Sequence, residues 1–490
     1  MMRSLFAGVS GLKTHQTRMD VIGNNIANVN TVAYKSQSAT FQELVYQTTQ
    51  AASGANDATG RAGINAKQIG LGVQSGAIST NITAQGASQS TGNAFDIQLN
   101  GKSFFIVSGG GSNFFTRAGT FTVDANGTLC MTTNGYKVQG WQVDEEQNVL
   151  KNTVSDLRVM SPENMTQDPE ATRYGYLSGI IDANDPTLDP AKGGAISTLQ
   201  FYDNRGYSYT LKLAVVSDMT QQIDGSGNPV TDADGNPVMV PIDGSFTLQA
   251  TDILDSTGTS LLTKELLTAG GFADTDKVGY MASLGIFNAT DPSKVQLTYN
   301  TTTGAWNDMD NRTFDIDVNK MGTSLGIGGM NGQTITVDLG TTKNIDNNGI
   351  STVAGRTGNV NNKALGAGRE AGEMDSLSVQ QDGRIYASYT NGVTKCLGQI
   401  AVATFANAAG LQKEGDNLYR STQNSGEFDG IGVDVTADGG SMTSGVLEMS
   451  NVDLSGEFTE MITTQRGFQA NSRIITVSDT LLEELINLKR

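Results

Sequence analysis

Apolar residues recur every seven positions at both ends of this 490-residue chain, and that repeat limits what the ends can be. Leu5, Leu12, Met19 and Ile26 form one column in the first segment, with Ile22 and Val29 in the neighbouring one. In the last segment Leu447, Leu454, Met461, Phe468, Ile475 and Leu482 form an unbroken column. Its companion column is apolar only at Phe458 and Ile486, with Gln465, Ser472 and Asp479 between them. A period of seven places apolar side chains on one narrow helical stripe, the seam of a coiled coil, and does not fit a strand of period two. The pattern predicts helical segments over 1–35 and 445–490 that pair with each other and with copies of themselves. Ser450 and Asp453 have capping-box spacing at the start of the second, and Lys489 and Arg490 suit its C-terminus. One such stripe commonly means packing on an ordinary core. Two stripes bracketing hundreds of residues of different character point to assembly.

Between the ends the chain changes character. After Phe41 to Tyr46 the segment 36–72 turns to Ala, Gly, Ser and Asn, which predicts an irregular extended linker. Alternation at Val73, Ser75 and Ala77, and again at Phe95, Ile97 and Leu99, reads as strand. Asn100-Gly101, Asn126-Gly127 and Asn134-Gly135 mark hairpins, because Asn-Gly tolerates the positive φ of a type I′ turn at both central positions. Asp382-Gly383 and Asn391-Gly392 divide residues 377–404 in the same way. Two hairpin-rich pieces nested inside two helical ends predict one discontinuous inner β domain, 73–155 plus 370–444, in preference to two independent modules. Residues 156–369 are then an insertion of one or two outer β domains. Strands are expected there at Tyr207–Val216, Phe246–Ala250 and Thr334–Leu339, with a helical patch at Ser260–Leu267. Gly227-Asn228-Pro229-Val230 recurs as Gly235-Asn236-Pro237-Val238, a tandem turn. The fold class is mainly β with terminal α-helices.

Composition narrows the function. A net charge of −18 leaves no basic surface for a phosphate backbone, so nucleic acid is not an expected partner. No apolar run approaches membrane-spanning length, and Gly8, Ser10, Gly11 and Lys13 interrupt the start, so neither membrane insertion nor a cleaved signal is expected. Cys130 and Cys396 are too few for a disulfide framework or a metal site. Two readings of them stay open: small buried thiols, or one bridge closing the discontinuous domain.

Candidate catalytic motifs fail on their surroundings. Gly322-Thr323-Ser324-Leu325-Gly326 has the nucleophile-elbow pattern, but the one histidine, His15, precedes it on the terminal segment. Gly101-Lys102-Ser103 lacks the first phosphate-loop glycine, Asp96 standing there, and Gly326-Ile327-Gly328 lacks its third, Asn331 standing there. Asp232, Asp234 and Asn236 have calcium-loop spacing, but Pro237 replaces the turn glycine and Asp243 the closing glutamate. No enzyme, cofactor or metal is expected, and His15 reads as a solvated or interface residue.

The ends also carry a resemblance. Ser10-Gly11-Leu12, then Asn24-Asn25-Ile26-Ala27-Asn28-Val29-Asn30-Thr31, closing on Tyr34-Lys35, resembles the N-terminal signature of bacterial flagellar rod and hook proteins. Ala33 stands where that family often has Gly. Ser450-Asn451-Val452-Asp453-Leu454, Gln465-Arg466-Gly467-Phe468-Gln469-Ala470-Asn471 and Leu485 to Arg490 are similar to its C-terminal signature, and Phe114 to Phe121 to an internal one. The resemblance implies a structural subunit that polymerises with itself into a tube, its helices inward and its insertion outward. It also implies rod, hook-cap, hook-filament junction and export-apparatus partners, and export without a cleaved signal to a flagellar position outside the cell. The long insertion favours the flexible hook over the rigid distal rod. A secreted β-rich adhesin fits less well, since it needs no heptads at both ends and Trp141 and Trp306 are the only tryptophans.

Overall fold

The structure, a computed structural model, describes residues 2–55, 60–144, 146–225, 228–232, 235–289, 291–307 and 312–488. Gly227, Asp234, Lys489 and Arg490, singled out above, lie outside them. Helix α1 spans Met2–Ala27 and helix α2 spans Leu454–Asn487, both shorter than the segments the heptads predict. α1 ends where the Asn28 N–H reaches back to the Asn24 and Asn25 carbonyls and the chain turns to Ala33, whose φ is 56°. α2 starts at Asp453, whose carboxylate accepts the Ser455 N–H. Ser450 does not cap it: its hydroxyl accepts the Val452 N–H ahead of the helix. Leu447, placed by its spacing in the helical column, belongs to the strand Val446–Glu448, which pairs with Ser88–Ser90. Backbone pairing to that strand and Gly445 at φ 74° override the period there.

The segment expected to be an irregular linker is a two-stranded ribbon. Strands β1 (Gln37–Glu43), β2 (Tyr46–Gln50), β3 (Lys67–Gly70) and β4 (Val73–Thr80) pair antiparallel, β1 with β4 and β2 with β3. Most of its side chains are exposed, so the ladder is satisfied by backbone groups with almost no core. Only β1 half-buries one face, at Gln37, Ala39 and Phe41, and the other strands of the ribbon leave no alternation for a sequence reading to find.

The chain forms two compact units. The first is Met1–Met165 with Asp375–Ser388 and Thr394–Arg490; the second is Thr166–Met374 with Tyr389–Val393. The first boundary lies beyond the predicted residue 155, because Ser155–Asp156 still pairs with Gln139 and Gly140, and Arg158 bridges to Thr128.

The main sheet of the first unit runs, strand by strand, Arg384–Tyr389, Thr394–Ile400, Lys137–Trp141, Phe104–Gly109, Ser112–Thr116, Leu418–Arg420, Gln412–Gly415. Phe104, Ile106, Phe115, Trp141 and Tyr419 fill its core. The Asn-Gly sites at Gly127, Gly135 and Gly392 turn the chain with only the glycine at positive φ. The asparagine instead accepts a backbone N–H two residues on, Asn134 from Tyr136 and Asn391 from Val393. Two two-residue turns of this sheet have positive φ at both centres: Gly110-Gly111, between Phe104–Gly109 and Ser112–Thr116, and Asp416-Asn417, which has no glycine at either centre. Cys130 and Cys396 are both free and buried, so no bridge closes this unit.

In the second unit, one sheet runs Phe287–Asn288, Thr313–Asp317, Thr334–Asn344, Tyr174–Ile181, Ala354–Thr357. The other runs Ala195–Tyr202, Ser208–Gln221, Met239–Leu254, Lys294–Thr298. Leu177, Ile316 and Val337 of the first share one buried cluster with Leu199, Leu213 and Phe246 of the second, so a single core serves both. The expected helical patch is a short helix, Lys264–Ala269, capped by Thr263. Ser324 lies inside the helix Val318–Leu325, away from any strand-to-helix elbow.

Candidate assembly site

α1 and α2 pack antiparallel. Gly11 faces Asn471, His15 faces Gly467, and Asn25 donates to the Glu457 carboxylate at 2.8 Å. Arg18 and Glu460 close an exposed ion pair at 2.9 Å in the same register. The seam on α2 alternates steps of four and three through Glu457, Met461, Thr464, Phe468, Asn471, Ile475, Ser478 and Leu482, all buried or half-buried. Of the predicted column, Met461, Phe468, Ile475 and Leu482 are therefore used, while Leu454, in the first turn of α2, is exposed. The predicted companion column is not used: Phe458, Gln465, Ser472, Asp479 and Ile486 are exposed, and the true companions lie one residue earlier. Those companions are small or polar, so apolarity could not reveal them. They fit because α1 offers glycine opposite: a Cβ on Gly8 would meet the Asn471 carbonyl and Ile475 at 3.4 Å.

On α1 the buried stripe is Gly8, Gly11, Thr14, Val21, Ile22 and Asn25. Leu5, Leu12, Met19 and Ile26 flank it half-buried, and Val29 lies in the turn beyond the helix. Close helix approach through small residues, rather than a row of leucines, sets this phase.

Below the helices the signature residues build a hydrogen-bonded junction. Asn25 holds Gln37 in both directions, accepting its N–H at 3.0 Å and donating to its carbonyl at 2.8 Å. The Tyr34 hydroxyl accepts from Asn24 and donates to Asn25, each at 3.2 Å. Asn28 accepts from the Thr31 hydroxyl at 3.0 Å. Asn451 accepts the Ser36 N–H at 2.7 Å and donates to the carbonyls of Asn81 and Ala84. At the centre the Lys35 ammonium reaches Glu448 and the Ala84 carbonyl, each at 2.6 Å, with both charged side chains 0% exposed. Burial pushes the Lys35 pKa down, and the Glu448 contact opposes that shift without cancelling it. The Lys413 ammonium stands 4.8 Å from the centre of the Tyr34 ring. Arg117, also buried, donates to the carbonyls of Leu99 and Gly101. Gly119 is required two residues on, since a Cβ there would collide with the Ile97 carbonyl.

The signature thus divides by location. Asn24, Asn25, Asn28, Thr31, Tyr34, Lys35 and Asn451 knit the junction, Asn471 sits in the seam, and Gln465 and Arg466 face outward on α2. Sequence reasoning missed a further feature. Ile474, Val477, Leu481, Leu485 and Leu488, spaced by three and four, form an exposed apolar face 42–81% accessible. Opposite Gly8 the register leaves only a few residues of α1, so the last turns of α2 run past its partner. Phe6 and Val9 of α1 are exposed near the same level, 65% and 44%. Among the described residues no cluster of His, Cys, Asp and Glu could hold a metal, and no helix is long and apolar enough to cross a membrane.

Three family models match: "Flagella basal body rod protein" over residues 5–35, "Flagellar hook protein FlgE/F/G D1 domain" over 98–167, and "Flagellar basal body rod FlgEFG protein C-terminal" over 443–488. The flagellar hook protein FlgE of Borreliella burgdorferi is 36% identical over 499 positions, covering 100% of both chains. That of Treponema pallidum is 33% identical over 509 positions, again covering 100% of both. The flagellar basal-body rod protein FlgG of Bacillus subtilis is 26% identical over 490 positions, with the same coverage.

Proposed function

The chain belongs to the flagellar hook protein family, as a structural subunit that polymerises within the flagellum, and from that premise we propose how its parts divide the work. The inward seam between α1 and α2 makes a stable rod-like element within one subunit. The outward face Ile474 to Leu488, with Phe6 and Val9, makes the contact to the next copy. The junction at Lys35, Glu448 and Asn451 fixes that element to the β-rich part, so that load on the helices reaches the sheet. The carrying observation is that α2 has two apolar faces and α1 covers one. Five large apolar side chains left in water cost several kcal/mol, at about 1.5–3 kcal/mol each when fully buried. A second copy removes that cost.

The subunit is not an enzyme in this reading. It leaves the cell by the flagellum's own export apparatus without a cleaved signal and meets rod, cap and junction proteins at the ends of its polymer. A rigid rod subunit is the weaker reading, since the rod relative is 26% identical against 36% and 33% for the hook relatives. The test is Val477→Asp with Leu481→Asp. The variant should keep the β-sheet dichroism and urea midpoint of the wild type yet form no tubes under polymerising conditions. Tubes of normal yield would overturn the assignment.

A further inference from the structure

His15, the chain's only histidine, stands where three elements meet. Its ring lies against α2 at Gly467, where a Cβ would come within 2.8 Å of Cε1 and Nε2. From β1, Phe41 packs edge-to-face with it, the ring centres 5.7 Å apart. Its Nδ1 is buried and has no hydrogen-bond partner. The charged groups around it are few. Arg18, one turn along α1, lies over the Phe41 ring at 5.6 Å and has its guanidinium on Glu460 of α2. On α2, Arg466 adjoins Gly467 and is exposed, and Glu457 is engaged by Asn25. β1 brings no charge nearer in sequence than Glu43, whose carboxylate accepts from the Tyr46 hydroxyl. Among the described residues no carboxylate forms an ion pair with His15.

A neutral imidazole needs one N–H and leaves the other nitrogen bare, which this packing accommodates. An imidazolium donates from both nitrogens and carries charge. Here the second N–H would find no acceptor, and the charge would sit beside Arg18. We propose that His15 is a proton-operated catch for the helix pair: neutral, its ring seats in the notch at Gly467, and protonation unseats it and weakens the pairing of α1 with α2. The proposal rests on the helix pair being the assembly element, because weaker pairing loosens the seam that positions the outward face. Burial, then Arg18, hold the His15 pKa below its ordinary 6.5. A group whose folded pKa is depressed in this way, but which must stay neutral, gives stability that is complete above 6.5. That stability is lost as pH falls from there toward the lower paired value. Each pKa step of one becomes about a tenfold loss in the pairing equilibrium.

The full chain labelled with ring-carbon-13 histidine gives one imidazole resonance to titrate. The expected results are a midpoint below 6.5 and faster amide exchange across residues 2–27 at about pH 5.5 than at about pH 7.5. After correction for intrinsic rates the acceleration should be no more than about tenfold, the most that one proton on a group of ordinary pKa 6.5 can give at that pH. His15→Phe keeps a ring against Phe41 and Gly467 but takes no proton, and should exchange at one corrected rate at both pH values. His15→Gln, a second uncharged variant, should do the same. Glu457→Gln should keep the acceleration, which excludes the one nearby carboxyl whose pKa burial raises. A midpoint at or above 6.5, or equal acceleration in the two His15 variants, would overturn the proposal. Tube formation by His15→Phe at about pH 7.5 is read separately. Tubes leave the assembly reading intact whatever the exchange shows, and the Val477/Leu481 variant tests that reading independently.

Discussion

Asn471 lies across Gly11, so that a Cβ on the glycine would stand 2.5 Å from the Asn471 Nδ2. By propensity alone Gly11 weakens α1 by about 1 kcal/mol relative to alanine. In the pair it is the socket that lets an amide lie between two backbones.

Gly11→Ala should therefore fail to deliver the propensity gain in the wild-type background, because Asn471 must rotate out of its seat. The same change in an Asn471→Ala background should deliver it. The cycle should show a coupling of about 0.5–1 kcal/mol, read from amide exchange across α1. Additive effects would mean the contact carries no energy.

Ala33 has φ 56°, is 1% exposed, and donates its N–H to the Glu448 carbonyl. Left-handed backbone costs a residue with a Cβ about 1–2 kcal/mol, and glycine avoids that cost. Ala33→Gly should raise stability by up to about 1 kcal/mol, after the greater freedom of glycine in the unfolded chain is subtracted. Ala33→Val should lower it further than alanine does. Urea midpoints at constant m-value check both.

Lys35 and Glu448 are buried together, and Glu448 Oε1 also accepts the Gly86 N–H at 3.1 Å. Removing one partner strands a charge in a dry site. Lys35→Met should cost about 3–5 kcal/mol. Adding Glu448→Gln, which keeps an acceptor for Gly86 without the charge, should restore a good part of that. If the double variant is no more stable than Lys35→Met alone, the ion pair is not what holds the junction.

These three sites show what the sequence could and could not disclose. Met461, Phe468, Ile475 and Leu482 announce a helix and its inward face because large apolar side chains repeat. The other half of the seam is Thr464, Asn471 and Ser478 against Gly8 and Gly11, where fit depends on small volume rather than hydrophobicity. No apolar period records that. Lys35 and Asn451 were visible only as signature letters, and their hydrogen bonds join residues hundreds of positions apart. The outward face Ile474 to Leu488 was overlooked because its steps of three and four run beside the seven-residue column and are hidden by it. The ribbon escaped because it buries so little. The strands of the main sheets were legible, since glycine turns and alternation both survive burial of one face.

Asp434 caps the short turn Val435–Asp438. It accepts from the Thr436 N–H at 3.0 Å, its hydroxyl at 2.8 Å, Lys151 at 3.0 Å and Gln399 at 3.2 Å. Burial alone would raise its pKa, but these donors outweigh it and hold the carboxyl at about 2. Because the folded value lies below the ordinary 3.8, its stabilisation is present above 3.8 and lost as pH falls from there toward 2. Asp434→Asn should cost about 1–2 kcal/mol near neutral pH and almost nothing at about pH 2. Urea midpoints at the two pH values check it, and an equal cost at both would assign the effect to shape instead of charge.

Gln465, Ser472 and Asp479 continue the exposed column that begins at Phe458 and ends at Ile486. They do not touch the seam with α1, so replacing them leaves the helix pair itself alone. Their polarity matters only where α2 meets another copy. A polar residue in a helical contact lowers its stability, so the contact breaks and re-forms at little cost, whereas leucine deepens it. A bending polymer needs contacts that shift as each subunit passes from the inside of the curve to the outside. Changing all three to leucine should add apolar area at every such contact, at roughly 25 cal/mol per Å² buried, and favour one packing over the rest. The triple variant should form tubes that are straight or locked in one curvature by electron microscopy, with the monomer's helix content unchanged. Tubes that bend like the wild type would show that the slack lies elsewhere, and the exposed ribbon β1 to β4 would be the next place to look.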